Sequence, residues 1–406
     1  MKPMGPIPPH FAGRETLTIA GQAAEHWIAE AGDTPLFVYD MGEVRARLAR
    51  LRAGMPARLD IHYAIKANPH PGVLAAIAPL VDGLDLASGG ELVKALKVKD
   101  ASVVSFAGPG KRDDELELAI YTGATLNLES EGEARRALAI GERLGRRPRL
   151  AVRVNPDFDL KGSGMKMGGR ASPFGVDAAR VPALVRELIA AGADWRGFHI
   201  YAGSQALSAA AIIETQAATV ALARRLSDEA GAAAPHVNLG GGFGIPYFAG
   251  DEAVDVEAVG AALAETLDRD GAADTQYAIE LGRWIVGECG VYLTRVVDVK
   301  ESQGERFVVV DGGMHHQLAA SGNFGTVVRR NYPIAVAGRM TGELAEVSVV
   351  GSLCTPLDRL GDKVGLPPVE VGGVIAVFLA GAYGFTASPG LFLGHPAARE
   401  LVVGLD

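Results

Sequence analysis

The sequence predicts an α/β protein: a closed (β/α)8 TIM barrel over residues 36–285, joined to a β-rich domain that takes in residues 1–35 and 286–406. Three observations lead there. Short apolar runs alternate with longer amphipathic patterns through the first two-thirds of the chain, which implies parallel strands joined by helices. There are eight such steps, and their span is close to the ~250 residues usual for this barrel. Past residue 286 the helical periodicity fades, and strand-like runs separated by Gly, Asp and Pro take over.

The strand candidates are, in order, IHYAIK (61–66), GLDLAS (83–88), VVSFAG (103–108), TLNLES (125–130), AVRVN (151–155), FHIYAG (198–203), VNLGGG (237–242) and YAIEL (277–281). Between them lie GELVKALKV, DELELAIYTG, EGEARRALAIGERLG, RVPALVRELIAAG, AIIETQAATVALARRLSDEAG and EAVGAALAETLDRDG. Apolar residues there recur at three- and four-residue spacing, and glycine often closes the pattern. A doubly wound sheet is the competing architecture; the count of eight favours closure. The second domain draws its strands from VYLTRVVDVK, RFVVVDGG, AEVSVVGSL and GVIAVFLAGAYG, and LTIAG (17–21) is expected to pair into it.

With 406 residues, 48% hydrophobic and 21% charged, the chain is an ordinary globular protein long enough for two cores. Its net charge of −9 argues against nucleic acid or an anionic membrane as the main partner. No apolar run reaches the ~18 residues of a membrane span. The start, MKPMGPIPPHFAG, lacks the apolar stretch of a secretory signal, and two cysteines, Cys289 and Cys354, cannot build a disulfide framework. A reducing, cytoplasmic location is expected, with either thiol available for chemistry.

In such a barrel the active site lies at the C-terminal strand ends, so the polar residues closing the eight runs share one mouth. The first run closes on Lys66. It is either a rim lysine reaching for water or a buried amine of lowered pKa, the kind a Schiff base needs. The sixth closes on His199 and Tyr201, which share one side of the strand, with Ser204 following. They read as a platform for a flat ring or as hydrogen-bonded interior residues. The seventh closes on Gly240, Gly241 and Gly242, whose successive N–H groups suit a phosphate, although a tight turn uses the same residues. A dinucleotide fingerprint fails because IPYFAG, not a helix, follows. The eighth closes on Glu280, then Gly282 and Arg283. Alone these read as an ion pair; beside a lysine and an anion loop they read as a carboxylate for a protonated pyridine nitrogen and a fork for its phosphate.

Taken together, YAIKAN, DLASGGEL, RVNP, GSQ, LGGGFG, ELGR, VVDGGM, GSLCTPLD and AGAYG resemble the fold-type III pyridoxal 5′-phosphate (PLP) decarboxylases, the group of ornithine, arginine and diaminopimelate decarboxylases. The resemblance covers nearly the whole chain, from residue 37 to 385, and implies a barrel of the alanine racemase type, PLP as cofactor and α-decarboxylation of an amino acid. It implies Lys66 as the residue bonded to the cofactor, and Ser204, Gly240, Gly241, Gly242, Gly282, Arg283 and Tyr383 at the phosphate. Glu280 falls at the pyridine nitrogen, with Asp85 and Arg153 beneath or beside the ring. The family's stacking histidine aligns best with Tyr201, leaving His199 two residues earlier. A head-to-tail homodimer with shared sites is implied too, with Cys354 and Asp358 serving the partner's site and Cys354 returning a proton to Cα. Cys289, inside an apolar run, reads as core.

Diaminopimelate and ornithine decarboxylases usually carry an acidic residue directly after that cysteine, to meet the distal amine. Here the position is Thr355, which supplies no ion pair; Leu281 also replaces a usual proline. KMGG (166–169), FGIPYF (243–248), DGGMHHQ (311–317), RRNYP (329–333), CTPLDRLG (354–361) and FLGHP (392–396) resemble a narrower group, that of the glutamyl-carrier-protein decarboxylase of the butirosin pathway and the exosortase-associated decarboxylases. That likeness implies an aminoacyl carrier protein as partner in place of a free small-molecule amino acid. Arg329, Arg330, Tyr332, Thr355 and Asp358 are the expected substrate contacts, the two arginines being equally explained as solvated charges. His315 and His316 have no partners at ligand spacing, so no metal is assigned. Three rival functions stand. Diaminopimelate or another free diamino acid as substrate is disfavoured by Thr355. Racemisation is opposed by Glu280 and Cys354, since alanine racemases set arginine at the ring nitrogen. A non-catalytic regulator is opposed by the intact Lys66, Glu280 and Cys354.

Overall fold

The structure, a computed structural model, describes residues 1–158, 165–166, 171–322 and 329–405. It divides into two compact units. The first, residues 47–244 and 253–282, contains all eight expected strands: β1 Leu59–Ala64, β2 Gly83–Leu86, β3 Val104–Phe106, β4 Thr125–Leu128, β5 Arg149–Asn155, β6 Asp194–Ile200, β7 His236–Gly241 and β8 Gln276–Leu281. Each pairs in parallel with the next, and β8 returns to β1, so the sheet closes.

The crossover helices start and stop where their sequences dictate. Ser88, Ser130, Ser208 and Asp255 each accept a backbone N–H from three residues on, and Gly145 and Gly231 end their helices in the left-handed conformation. Inside the barrel the apolar pattern gives way: His62, Asp85, Asn127, Arg153, His199, Asn238 and Glu280 are all buried. Seven polar side chains in one core need partners among themselves, and their arrangement sets the chemistry below.

The second unit comprises residues 1–46, 245–252 and 283–406. Its central strand, Gly290–Ser302, pairs antiparallel with Glu305–Val310, Val374–Val377 and Leu36–Asp40. Two expectations change here. The sequence places residues 36–46 in the barrel, but Leu36–Asp40 is buried between Gly290–Ser302 and Arg399–Val403. An apolar five-residue strand looks the same in either sheet. LTIAG joins no large sheet: Thr18–Ile19 pairs with Gln22–Ala23 as a separate hairpin. Residues 245–252 also leave the barrel sequence, because Tyr247 and Phe248 pack their rings on Tyr332 at 4.7 and 5.6 Å. Among the described residues no helix is long and apolar enough to cross a membrane. KMGG lies outside the described residues apart from the backbone of Lys166.

Candidate active site

β1 stops at Ala64, and a single 3₁₀ turn, Ile65–Ala67, carries Lys66 just beyond the strand. Ile65 and Ala67 are buried and fix the turn, whereas Lys66 is exposed, which of the two readings of its position favours the rim lysine. Its neighbours single it out instead. Lys66 lines a cavity of about 270 Å³ together with Asp85, Arg153, His199, Tyr201 and Glu280. Six residues from β1, β2, β5, β6 and β8 or the turns after them thus meet in one mouth, as expected from the strand ends. Lys66 Nζ sits 5.6 Å from the centre of the Tyr201 ring. Gly282 holds the neighbouring strand end close, since a Cβ there would lie 2.8 Å from Ala67 Cβ.

Glu280 is 6% exposed. Burial pushes its carboxyl up, but His199, Lys66 and Arg153 outweigh that and bring it down to about 2. His199 Nε2 lies 2.9 Å from Glu280 Oε2, although neither ring nitrogen makes a well-angled hydrogen bond. His199 and Tyr201 therefore divide: the imidazole neighbours the carboxylate, the phenol ring the amine. Because the folded value lies below the ordinary 4.5, ionised Glu280 adds stability that is complete above 4.5 and is lost as pH falls toward about 2. The thermal midpoint of a Glu280→Gln variant should fall below that of the parent at neutral pH, and the gap should narrow on acidification through that window.

Three further residues, which no motif announced, organise the mouth. Asn238 Nδ2 donates to Glu280 Oε2 at 3.1 Å and Asp85 Oδ1 at 3.4 Å, while its Oδ1 accepts from Gly240 N at 2.9 Å. His62 Nδ1 lies 2.9 Å from Asp85 Oδ2. Glu129 accepts from Arg153 Nη1 at 2.8 Å, from Gly175 N at 2.9 Å and from Gly108 N. Its Arg153 partner lies over the Phe174 ring at 5.0 Å. For Asn238 and His62 the sequence signal is a polar residue between two apolar neighbours; Glu129, between Leu128 and Ser130, carries none. Removing one partner of a buried pair typically costs 3–5 kcal/mol, so Glu129→Ala should lower stability by about 3 kcal/mol in denaturant titration and leave Arg153 without a fixed orientation.

The glycines after β7 answer to packing before any ligand. A Cβ on Gly241 would strike Glu280 O, and Gly242, at φ +82°, faces Gly203 O. Ser204 pairs across the strand Gly203–Ser204 with Met165.

In the β-rich unit, Arg283 Nη1 donates to Tyr247 Oη at 2.9 Å, and the guanidinium lies 5.3 and 4.8 Å from the Tyr247 and Tyr383 ring centres. Tyr383 holds its ring there from a left-handed backbone, φ +55°. Among the described residues Arg283 has no carboxylate partner. A half-buried cation caged by tyrosines is a ready anion contact. Tyr332, expected at substrate, is 5% exposed and belongs to this cage instead. Cys354 is exposed and Cys289 buried. Asp358 is 3% exposed, its oxygens accepting from Met314 N at 2.7 Å and Leu353 N at 2.9 Å. It shapes the cysteine loop rather than facing outward. Arg329 donates to Leu357 O at 3.1 Å in the same loop, whereas Arg330 stacks on Phe248 at 3.8 Å.

The pyridoxal-binding domain of the pyridoxal-dependent decarboxylases matches residues 41–287. The chain belongs to that family. This decarboxylase is 35% identical, over 91% of its length and 89% of the relative's, to the L-glutamyl-[BtrI acyl-carrier protein] decarboxylase of Niallia circulans. It is 33% identical to a diaminopimelate decarboxylase of Archaeoglobus fulgidus, over 96% and 92% of the two chains. The crystal structure of the Helicobacter pylori diaminopimelate decarboxylase with L-lysine superposes with a TM-score of 0.83 at 28% identity, covering 93% and 94%. The decarboxylase is thus a PLP-dependent carboxy-lyase, and the barrel's own residues fit the cofactor: an amine and an ionised carboxylate line one mouth.

Proposed function

We propose that this decarboxylase removes the α-carboxylate of an amino acid whose distal end is held, uncharged, on a carrier protein. The cysteine loop carries the reading. Thr355 stands where a free diamino acid needs a carboxylate, and the loop's own acid, Asp358, is buried with both oxygens engaged by backbone N–H groups. The relative from Niallia circulans, which is named for a carrier-bound glutamyl group, supports it.

PLP, when bound, supplies the electron sink for the bonding pair that carbon dioxide leaves behind. Lys66 Nζ would bond to it, with Tyr201 beside the amine. Glu280, ionised at every working pH, would hold a proton on the ring nitrogen, and Asn238 keeps the carboxylate aimed. Arg153, set by Glu129, adds positive charge at the mouth. Within the barrel, Ser204 and Gly240 to Gly242 would serve the phosphate and Asp85 the ring face. As the Cα–carboxylate bond breaks, a C–H bond must form; the exposed Cys354 thiol gives up that proton and is recharged from water. A homodimer, in which a second copy brings Cys354 to the mouth, completes the site.

Cys354→Ala should lower kcat on the order of 10²–10³-fold with little change in KM, read from product formation in deuterated water. Undiminished turnover would remove the thiol from the mechanism. Thr355→Asp should improve kcat/KM for a free diamino acid by roughly tenfold, the value of one charge-assisted contact. The reading as a whole is tested by carbon dioxide release from PLP-loaded protein offered free diaminopimelate, lysine, ornithine, arginine and glutamate beside aminoacyl carrier proteins. Release from the carrier-bound substrates alone supports it. Turnover of a free diamino acid alone would transfer the chain to the diaminopimelate-type activity.

A further inference from the structure

We propose that the opposite, N-terminal end of the barrel holds a divalent transition-metal ion of the zinc class, bound by Asp60, His62 and His236. Asp60 and His62 lie two residues apart on β1 and so face the same side. His236 opens β7, and only β8 separates the two strands, with Ala278 opposite Asp60 and Gln276 opposite His236. One donor atom from each of the three lies within 4.8 Å of the other two. A common centre is then no more than about 2.8 Å from each, and side-chain shifts under ~1 Å bring all three to the ~2.0–2.2 Å of zinc bonds.

Several features set this cluster apart from a chance meeting of polar groups. All three residues line one cavity of about 210 Å³. Two imidazoles and one carboxylate leave room for water or one more ligand, a donor set that suits divalent transition metals over magnesium or calcium. His62 turns its Nδ1 to Asp85 Oδ2 at 2.9 Å. A carboxylate behind the imidazole is the arrangement metal-binding histidines almost always show, and it directs Nε2 to the ion. Gly83 makes room for that edge, since a Cβ there would lie 2.6 Å from His62 Nε2. The His62 and His236 rings lie nearly parallel, centroids 5.7 Å apart.

The nearest arginines also pair with other acids. Arg52 Nη2 lies 2.5 Å from Asp82 Oδ2, and Arg196 lies 3.9 Å from Asp194. Among the described residues Asp60 makes no ion pair within 4 Å, its nearest polar support being Gln276 and Arg52, and His236 makes no side-chain hydrogen bond. An ion here would clasp β1 to β7. It would also fix His62 with its proton on Nδ1, toward Asp85, and so hold Asp85 in the cofactor mouth.

The test uses tag-free, PLP-loaded protein, stripped with chelator and dialysed against buffered zinc. Elemental analysis should find one zinc retained per chain, lost in Asp60→Asn and in His236→Gln and kept in Cys354→Ala. Cobalt in its place should give visible d–d bands that both ligand variants lack. In the unaltered protein zinc, but not magnesium, should protect His236 from carbethoxylation, which covers the case in which a variant fails to fold. Absence of stoichiometric zinc in the parent, retention by both ligand variants, or equal His236 modification with and without zinc would each overturn the proposal.

Discussion

Replacing Lys66 with alanine is expected to abolish decarboxylation, lowering kcat/KM by at least on the order of 10⁴-fold. Among the described residues Lys66 is the one lysine lining the barrel-mouth cavity, so no second amine stands ready to take its place. The side chain is exposed and its turn is held by buried Ile65 and Ala67, so the variant should still fold in the absence of PLP. What should vanish is the visible absorbance of the covalently held cofactor, together with carbon dioxide release in single-turnover mixing. A variant that kept both would move the cofactor link to another residue.

Glu280→Gln carries the second-largest effect. The carboxylate is held at about 2 because His199, Lys66 and Arg153 together outweigh the burial that pushes it up. Its charge is therefore present throughout the working range, and an amide of the same shape removes only that charge. Deleting one preorganised electrostatic partner typically costs 10²–10³ in rate, so kcat should fall on the order of 10²–10³-fold while KM changes little. Asn238 can still hydrogen-bond the amide, which separates this loss from a misplaced side chain. A larger loss in Asn238→Ala than in Glu280→Gln would show that positioning outweighs charge.

Much of the barrel was legible because its strands and helices obey different periods, and the serine and glycine caps stand where the helices begin and end. The eight strands appear where the apolar runs placed them, with ends shifted by a few residues. Leu36–Asp40 was misassigned because a fully buried strand carries no alternation to say which sheet it joins. Tyr247 and Phe248 left the barrel sequence for a reason sequence distance hides, a ring packing onto Tyr332 more than eighty residues away. The mouth residues were legible as strand-closing polar groups that match a known family. Glu129, Asn238 and His62 were not, since each acts by holding another residue and nothing in its own neighbourhood names that partner. Asp358 and Tyr332 show the converse: position in a motif drew them toward substrate, whereas their hydrogen bonds and burial give them to the loop and to the Arg283 cage. The Asp60, His62 and His236 cluster exists only once β1 and β7 are brought to either side of β8.

Intact-mass spectrometry of a glutamyl carrier protein treated with the PLP-loaded enzyme tests the central claim most directly. The carrier should lose the mass of one carbon dioxide from its arm with the parent enzyme and remain unchanged with Lys66→Ala. An unchanged carrier, under conditions where the parent enzyme consumes a free diamino acid, would contradict it.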